Sequence, residues 1–215
     1  GSRKHLIAGL DQSLRRLRLD YVDLFYHHRP DPATPLEETV GALAQIVRQG
    51  KALYIGLSKY PADELRRAVA LLHAEGVPCV AHQVRYNLID RAEPEQSQLA
   101  AAQEAGLGTV AFSPLAQGVL SGKYAAGVPT DSRAGRGSPF IVRHLTDANV
   151  VFARKVQAVA AARGQTPAQT ALAWVLRDPR VASAVIGASS VAQLRENVAA
   201  LANLRFDAAE LAALE

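Results

Sequence analysis

The chain has 215 residues, of which 49% are hydrophobic and 20% are charged, and its formal net charge is +4. This composition excludes a disordered or fibrous protein and is sufficient for one large domain or two small ones. No run of about 18 apolar residues occurs, so we expect no membrane-spanning helix, and the scattered arginines argue against nucleic acid as a partner. The single cysteine, Cys79, cannot form a disulfide within the chain and favours a reducing compartment, for which we expect the cytoplasm.

Predicted helices and strands alternate along the chain. Leu6, Leu10 and Leu14 recur at helical spacing, and the β-rich run 21–27 follows them. Further strands are predicted at 52–57, 78–83, 108–112 and 181–186. Strands that alternate with helices, without an Asn-Gly hairpin between them, predict a parallel sheet of right-handed βαβ units.

Several residues predict where helices begin. Thr34 is expected to be the N-cap of the second helix, with Pro35 in its first turn and Glu37 three residues after the cap. Asp207 with Glu210 predicts the start of a terminal helix. The other helices are predicted at 61–76, 94–106, about 146–163, 167–178 and from 191.

Two α/β folds fit this alternation, a doubly wound sheet and part of a (β/α)₈ barrel. A dinucleotide-binding doubly wound domain should carry G-x-G-x-x-G after its first strand, and that pattern follows none of the five predicted strands. We therefore predict the C-terminal portion of a TIM barrel, with about five of its eight parallel strands. We expect residues 1–215 to form a single domain whose N-terminal strand units are missing.

Two adjacent histidines end the first predicted strand. Alternation places His28 on the face opposite Asp23 and His27, and the face that carries Asp23 is the less suitable lining for an apolar barrel. We therefore expect His28 to project inward at the C-terminal mouth, with a plain packed histidine as the alternative. A metal site is not favoured, because adjacent histidines on a strand diverge and only His82 lies near another strand end.

The stretch FSPLAQGVLSGKY follows a predicted strand and opens a glycine-containing loop that ends near residue 145. Ser113, the backbone N–H groups of the glycines and the cations Lys123, Arg133 and Arg136 can surround a phosphorylated ligand. The alternative is a solvated surface loop, and composition alone does not decide between them.

The stretch IGASSVAQLRENV passes from a predicted strand into a helix. Either Ser189 or Ser190 can cap this helix, and the N–H groups of its first turn can bind an anion. Phosphate sites on barrels lie in this position, between the last strands. The alternative is an ordinary capped helix.

Five segments together resemble the aldo-keto reductases in order and spacing: DYVDLFYHHRPD, GKALYIGLSKY, HQVRYNLIDR, FSPLAQGVLSGKY and IGASSVAQLRENV. The resemblance covers almost the whole chain and is closest to the branch with bacterial L-glyceraldehyde 3-phosphate reductases and β subunits of voltage-gated potassium channels. It implies a (β/α)₈ barrel that binds NADPH across its C-terminal mouth. It also implies reduction of aldehydes and ketones to alcohols by hydride transfer.

The resemblance also implies roles for individual residues. His28 matches the active-site histidine that orients the substrate carbonyl. Ser58, Lys59 and Gln83 match positions beside the nicotinamide, where the family's serine and glutamine hold the carboxamide. Phe112 matches an aromatic ring that packs on the nicotinamide.

The phosphate and adenosine ends of the cofactor have matching segments as well. The pyrophosphate-binding loop is matched by Ser113, Leu115, Gly118 and Lys123. Arg133 matches an arginine near the adenosine phosphate. The segment that holds the adenosine end is matched by Gly187, Ser189, Gln193, Glu196 and Asn197.

The chain departs from the family pattern in two ways. The family's general-acid tyrosine and the aspartate and lysine that tune it have no match here, since the resemblance places them in the first three strand units. Because the general acid has no match, we expect these 215 residues alone to be inactive. The chain also has no methionine and opens on GSRKHL, so we expect that residue 1 is not the natural start. Other branches have a lysine and an arginine beside the 2′-phosphate, where this chain has Gly187 and Gln193. Arg133 is then the main candidate cation, and NADPH is favoured over NADH.

The expected partner is a small aldehyde or ketone substrate, and a homo-oligomer is left open. The alternatives to an enzyme are a cofactor-binding regulatory subunit and an inactive truncated product.

Overall fold

The computed structural model describes residues 1–124 and 127–215. Its five strands form one sheet in the order β1-β2-β3-β4-β5, and they are β1 Val22–His27, β2 Ala52–Ser58, β3 Cys79–Arg85, β4 Gly108–Phe112 and β5 Val181–Val185. The pairs β1–β2 and β2–β3 are parallel. A doubly wound sheet reverses its strand order at a switch point, whereas barrel strands follow one another in chain order. The observed order therefore confirms the barrel interpretation over the doubly wound one.

Helices alternate with the strands as predicted, and the prediction is confirmed to within a few residues at most boundaries. They are α1 Arg3–Leu17, α2 Leu36–Arg48, α3 Ala62–Ala74, α4 Leu99–Glu104, α5 Pro139–Val142, α6 Asp147–Ala162, α7 Pro167–Leu176, α8 Val191–Val198 and α9 Ala208–Ala213. The predicted capping box of Asp207 and Glu210 opens α9. Ser190, rather than Ser189, caps α8 by accepting a hydrogen bond from the Gln193 N–H.

The prediction of Thr34 as the N-cap of α2 is wrong. The N-cap position is Pro35, which makes no side-chain cap. The Thr34 hydroxyl instead donates to Asp31 Oδ2 at 2.7 Å, and the Ala33 N–H donates to Asp31 Oδ1. Asp31 thus forms a local turn that competes for the threonine, so the helix begins later.

Two segments carry structure that periodicity did not predict. The helix expected from 94 opens as a π-helix, Pro94–Gln98, before α4 continues it. The Ser97 hydroxyl donates to the Glu93 carbonyl, which is the acceptor that an α-turn would use, so the turn widens. The stretch expected to be an irregular loop up to residue 145 contains a 3₁₀ segment, Ala116–Ser121, and α5.

The chain divides into two compact units. The first comprises Gly1–Val84 and Glu93–Val110, and the second comprises Arg85–Ala92 and Ala111–Glu215. In the first unit, the buried stripe of α1 belongs to the same core as apolar residues of α2, β2 and α3. In the second unit, the Trp174 and Tyr86 rings pack with centroids 5.2 Å apart. No helix within the described residues is long and apolar enough to span a membrane.

Candidate active site and cofactor site

The two histidines at the end of β1 have different environments. His27 is only 5% exposed, and its Nδ1 lies 2.6 Å from the Tyr60 hydroxyl oxygen. Burial, above all, lowers the pKa of His27 to about 4. His28 is exposed, and its Nε2 lies 3.4 Å from the Lys59 amine. His28 is therefore the histidine whose ring is accessible to a substrate.

The turn after β2 brings together the residues predicted to lie beside the nicotinamide. Ser58 ends β2 and is in register with Gln83 of β3. The Lys59 N–H donates to the Gln83 carbonyl at 2.9 Å. Lys59 has φ +60°, a left-handed conformation that is uncommon outside glycine. His28, Ser58, Lys59 and Gln83 thus form one group within the first unit.

Ser58 carries a polar atom that a ligand would suit. The residue is 1% exposed, and its Oγ has no hydrogen-bond partner in the part of the chain that the structure describes. An unpaired buried hydroxyl costs free energy, since it loses its hydrogen bonds to water. A ligand amide or carbonyl that reaches Ser58 would restore the missing hydrogen bond.

In the second unit, Phe112 ends β4 and leads into a tightly held turn. The Arg85 guanidinium carbon lies 5.7 Å from the centre of the Phe112 ring. Ser113 has φ +53°, and its carbonyl accepts a hydrogen bond from the buried Asn87 side chain at 3.0 Å. The Asn87 side chain also accepts from the Ile89 N–H, so it holds two segments together. The sequence motifs did not predict a role for Asn87. Its position in YNLID, as a polar residue that follows a strand, is the feature that could have indicated one.

The 3₁₀ segment after Ser113 has a run of left-handed residues. Gln117 has φ +61° and Gly118 has φ +102°. The Gly118 N–H donates to the Leu115 carbonyl at 2.8 Å, and Gln117 Nε2 donates to Ser113 Oγ at 2.9 Å. Successive residues in such conformations form concave backbone turns that favour anions. Three predicted pyrophosphate-loop residues, Ser113, Leu115 and Gly118, are therefore brought together.

The predicted cations lie beside or beyond this turn. Arg133 is exposed, and its Nη2 donates to the Gln117 carbonyl at 2.8 Å. Gln117, which sequence reasoning did not predict, thus connects Ser113 to Arg133. Lys123 is exposed and follows this segment along the chain.

The predicted adenosine segment is organised around the start of α8. The Gln193 side-chain oxygen accepts from both the Ser189 N–H, at 2.7 Å, and the Ser189 hydroxyl, at 3.1 Å. The Glu196 carbonyl accepts from Gln169 Nε2. Asn197 is 3% exposed, and its Nδ2 has no hydrogen-bond partner among the described residues. Like Ser58, Asn197 has a buried polar atom that an acceptor on a ligand would satisfy.

Gly187 stands apart from this group. It is exposed, and a Cβ added there would meet no heavy atom within 4 Å. Packing within the chain therefore does not explain the glycine.

Among the described residues, no group of three or more His, Cys, Asp and Glu side chains is arranged to hold a metal ion. His82 is fully buried, and burial lowers its pKa to about 4.

The sequence model of the Aldo/keto reductase family matches residues 1–215. The chain belongs to this family. The family assignment made from the five motifs is thereby confirmed.

Relatives of the family agree with the branch predicted. The chain is 48% identical over 219 residues to "L-glyceraldehyde 3-phosphate reductase" of Escherichia coli O157:H7, covering 100% of the chain and 63% of that protein. It is 40% identical over 206 residues to "Putative voltage-gated potassium channel subunit beta" of Schizosaccharomyces pombe, covering 93% of the chain and 60% of that protein. The chain thus spans less than two thirds of the length of these relatives.

A solved structure supports the fold. A thermostable aldo-keto reductase crystallised with the inhibitor epalrestat superposes with a TM-score of 0.76 at 33% sequence identity, covering 99% of the chain and 66% of that structure. The fold is therefore that of a TIM barrel, of which this chain supplies five parallel strands.

Proposed function

We propose that the protein is an NADPH-dependent oxidoreductase that reduces small aldehydes or ketones to alcohols. Substrates of the L-glyceraldehyde 3-phosphate or methylglyoxal type are the first candidates, given the similarity to the reductase of Escherichia coli. The observation that carries the proposal is that Ser58 Oγ and Asn197 Nδ2 are among the buried polar atoms without partners in the described chain. The family pattern assigns these two residues to opposite ends of the same cofactor.

The residues present fit a nicotinamide cofactor. Ser58 and Gln83 would hold the carboxamide, and the Phe112 ring would pack on the nicotinamide. Ser113, Leu115, Gly118 and Lys123 would contact the pyrophosphate. Ser189, Gln193, Glu196 and Asn197, together with Gly187, would hold the adenosine. When bound, this cofactor supplies the hydride.

His28 would position the substrate. Its exposed ring can donate a hydrogen bond to the carbonyl oxygen, on which negative charge develops during reduction. Lys59, whose amine lies 3.4 Å from His28 Nε2, places a cation beside the same position. Both groups stabilise an alkoxide electrostatically.

Protonation of the alkoxide requires a general acid that this chain does not supply in our assignment. Tyr21, Tyr26 and Tyr60 do not stand in the family motif that carries the catalytic tyrosine, and the hydroxyl of Tyr60 is already bonded to His27. We therefore propose that these 215 residues alone do not reduce aldehydes detectably. NADPH oxidation well above a no-protein blank, abolished by His28→Ala, would contradict this.

The test of the function is steady-state oxidation of NADPH by the full-length protein, with methylglyoxal and L-glyceraldehyde 3-phosphate as substrates. We expect turnover, and we expect His28→Ala to lower kcat by about 10²–10⁴-fold, the range for loss of a positioned acid–base or hydrogen-bonding group. His73→Ala, which alters an exposed histidine at the end of α3, is the matched control and should keep the wild-type rate. No turnover with either substrate, or an unaffected His28→Ala variant, would refute the proposal.

A second candidate is a regulatory subunit that binds the cofactor and turns it over slowly or not at all. The 40% identity to a putative channel β subunit favours this reading. NADPH binding without turnover of simple aldehydes would support it over the enzyme. In either case, we propose that residues 1–215 belong to a single aldo-keto reductase domain. We also propose that the protein is located in the cytoplasm.

A further inference from the structure

The buried side chains of His27 and Tyr60 form a hydrogen-bonded pair next to the proposed active-site residues. Their polar atoms are 2.6 Å apart, and the rings meet edge-on with centroids separated by 5.8 Å. Tyr60 is 1% exposed, so water cannot replace this hydrogen bond. Removal of either partner leaves the other with an unsatisfied buried group.

This pair connects two segments that carry proposed active-site groups. His27 immediately precedes His28, while Tyr60 immediately follows Ser58 and Lys59. The last register pair between β1 and β2 is His27 with Leu57. His28 and the turn at 58–60 therefore lie at or beyond the end of the β1–β2 backbone ladder, where a side-chain hydrogen bond can hold them.

Lys59 needs such support because its backbone is left-handed. With φ +60°, it occupies a conformation that costs free energy in a non-glycine residue and persists only when neighbouring groups hold it. Its N–H is fixed by the Gln83 carbonyl on one side. On the other side, the next residue is Tyr60, which is anchored by His27.

We propose that His27 and Tyr60 are positioning residues, whose hydrogen bond fixes His28, Ser58 and Lys59 relative to one another for carbonyl reduction. The inference rests on the proposed function, because only that function gives these three residues their roles. His27 and Tyr60 do not themselves touch the substrate in this assignment; they act through their neighbours.

The protonation states of His27 and Tyr60 favour a stable hydrogen bond between them. Burial lowers the pKa of His27 to about 4, and burial raises the pKa of Tyr60. Both groups are therefore neutral at neutral pH, and one proton lies between them, donated either by the phenol or by the ring N–H. The hydrogen bond between His27 and Tyr60 should therefore persist around neutral pH.

The experiment uses four variants of the pair and one control variant, all in the full-length protein. Tyr60→Phe removes the hydroxyl and keeps the ring, His27→Leu removes the ring nitrogens, and a double variant combines the two changes. His27→Asn keeps a polar atom close to the position of Nδ1 and is the conservative replacement. Ile46→Val, a change in the buried core of α2, is the control for a general loss of stability.

We expect Tyr60→Phe and His27→Leu each to lower kcat about tenfold, which corresponds to the net strength of one hydrogen bond. The Kd for NADPH should change by less than about threefold, because most cofactor contacts are made by other residues. The double variant should be no slower than either single one, since each change breaks the same bond. His27→Asn should regain most of the lost kcat, and Ile46→Val should keep the wild-type kcat.

Hydrogen exchange at the Lys59 amide gives a readout that does not depend on turnover. We expect exchange to be about tenfold faster in Tyr60→Phe and His27→Leu than in Ile46→Val, because the turn is released locally. Wild-type kcat in both single variants, or losses that add up in the double variant, would overturn the inference. If the wild-type protein shows no turnover, the proposed function fails instead, and unchanged exchange at Lys59 would then overturn the link between the pair and the turn.

Discussion

The ring of Tyr26 occupies the space that a side chain on Gly56 would need. The two residues are in register on β1 and β2, and a Cβ on Gly56 would lie 2.6 Å from Tyr26 Cδ1 and closer still to Cε1. That separation is far shorter than a normal contact between carbon atoms. Gly56 is therefore needed for close packing rather than for backbone conformation.

Gly56→Ala should lower the free energy of unfolding by about 1–3 kcal/mol, because the Tyr26 ring must leave its position. The matched control is Gly9→Ala in α1, where a Cβ would meet nothing within 4 Å. That change should raise the free energy of unfolding by about 0.5–1 kcal/mol, since alanine favours a helix over glycine. Urea denaturation of both variants measures the difference, and equal effects would show that Tyr26 does not restrict Gly56.

Arg163 should be important for the stability of the second unit. Its side chain is 1% exposed, and its Nη1 donates to Glu210 Oε2 at 2.6 Å. The guanidinium also donates to the Asn203 and Arg205 carbonyls, and it lies 3.7 Å from the centre of the Phe206 ring. Arg163→Met should therefore lower the free energy of unfolding by about 3–5 kcal/mol, because Glu210 loses its cationic partner and the two carbonyls lose their donor.

The control for Arg163 is Arg48→Met. Arg48 forms an ion pair with Glu75 in which both side chains are largely exposed. Such pairs contribute about 0–1 kcal/mol, so the loss should be small. Denaturation curves that give the two variants the same stability would contradict the prediction.

His82 should make the protein less stable in mild acid. The ring is fully buried, and its pKa is lowered from 6.5 to about 4 in the folded state. The unfolded chain takes up a proton first, so the contribution of His82 is fully present above pH ~6.5 and is lost as the pH falls to about 4. The full loss is up to about 3 kcal/mol.

Denaturation at a series of pH values tests the role of His82. His82→Asn should reduce the decline of stability between pH ~6.5 and about 4 without abolishing it, because the pKa of the buried His27 is also lowered to about 4. His73→Asn, on the exposed surface of α3, should leave the decline in place, because its ring is in water whether or not the chain is folded. An unchanged decline in His82→Asn would show that other groups cause it.

Arg133 should distinguish NADPH from NADH in the full-length protein. Its guanidinium is exposed beside the turn at Gln117, and a charge-assisted contact to the 2′-phosphate contributes roughly 1.5–3 kcal/mol. Arg133→Ala should weaken NADPH binding by the corresponding factor and leave NADH binding nearly unchanged. Lys155→Ala, which removes an exposed cation of α6 outside the proposed cofactor segments, is the control. Fluorescence titrations in which Arg133→Ala weakens both cofactors equally would exclude a role in reading the phosphate.

The 215-residue chain should self-associate through β1. In the sheet order β1 pairs with β2 and lies at one end, so its other edge offers N–H and C=O groups to another chain. Tyr21→Lys should reduce association, because a lysine beside an edge strand opposes pairing. Tyr54→Lys is the same substitution on the exposed surface of β2. It should leave association unchanged, because β2 has a strand on each side. Sedimentation of the unaltered chain as a stable monomer would contradict the prediction.

The strands were predictable because each is a short apolar run between helical segments, and β2 and β4 differ from their predicted ranges by at most one residue. What the sequence did not reveal depends on partners distant in the chain. Alternation separates His27 from His28, but the hydrogen-bond partner of the buried ring, Tyr60, lies 33 positions further on. Ser113 was predicted from its motif, whereas the Asn87 side chain that holds it comes from 26 positions earlier.

Local competition explains the wrong boundaries. Thr34 has the right type and spacing for an N-cap, yet its hydroxyl bonds to Asp31 only three residues away. Ser97 similarly takes the carbonyl of Glu93. Propensity rules do not consider a competing hydrogen-bond partner, and both side chains have one nearby in the sequence.

The register of the first three strands has a consequence for how the chain folds. Val22 pairs with Ala52, and Ser58 pairs with Gln83, so each new strand pairs with its neighbour at a sequence separation of only 30 and 25 residues respectively. The entropy lost in closing such loops depends only weakly on length, and it is similar at each step. The contacts between these strands therefore each span about one βα unit, which keeps the contact order of this part of the molecule low. This part can fold without first bringing distant ends of the chain together.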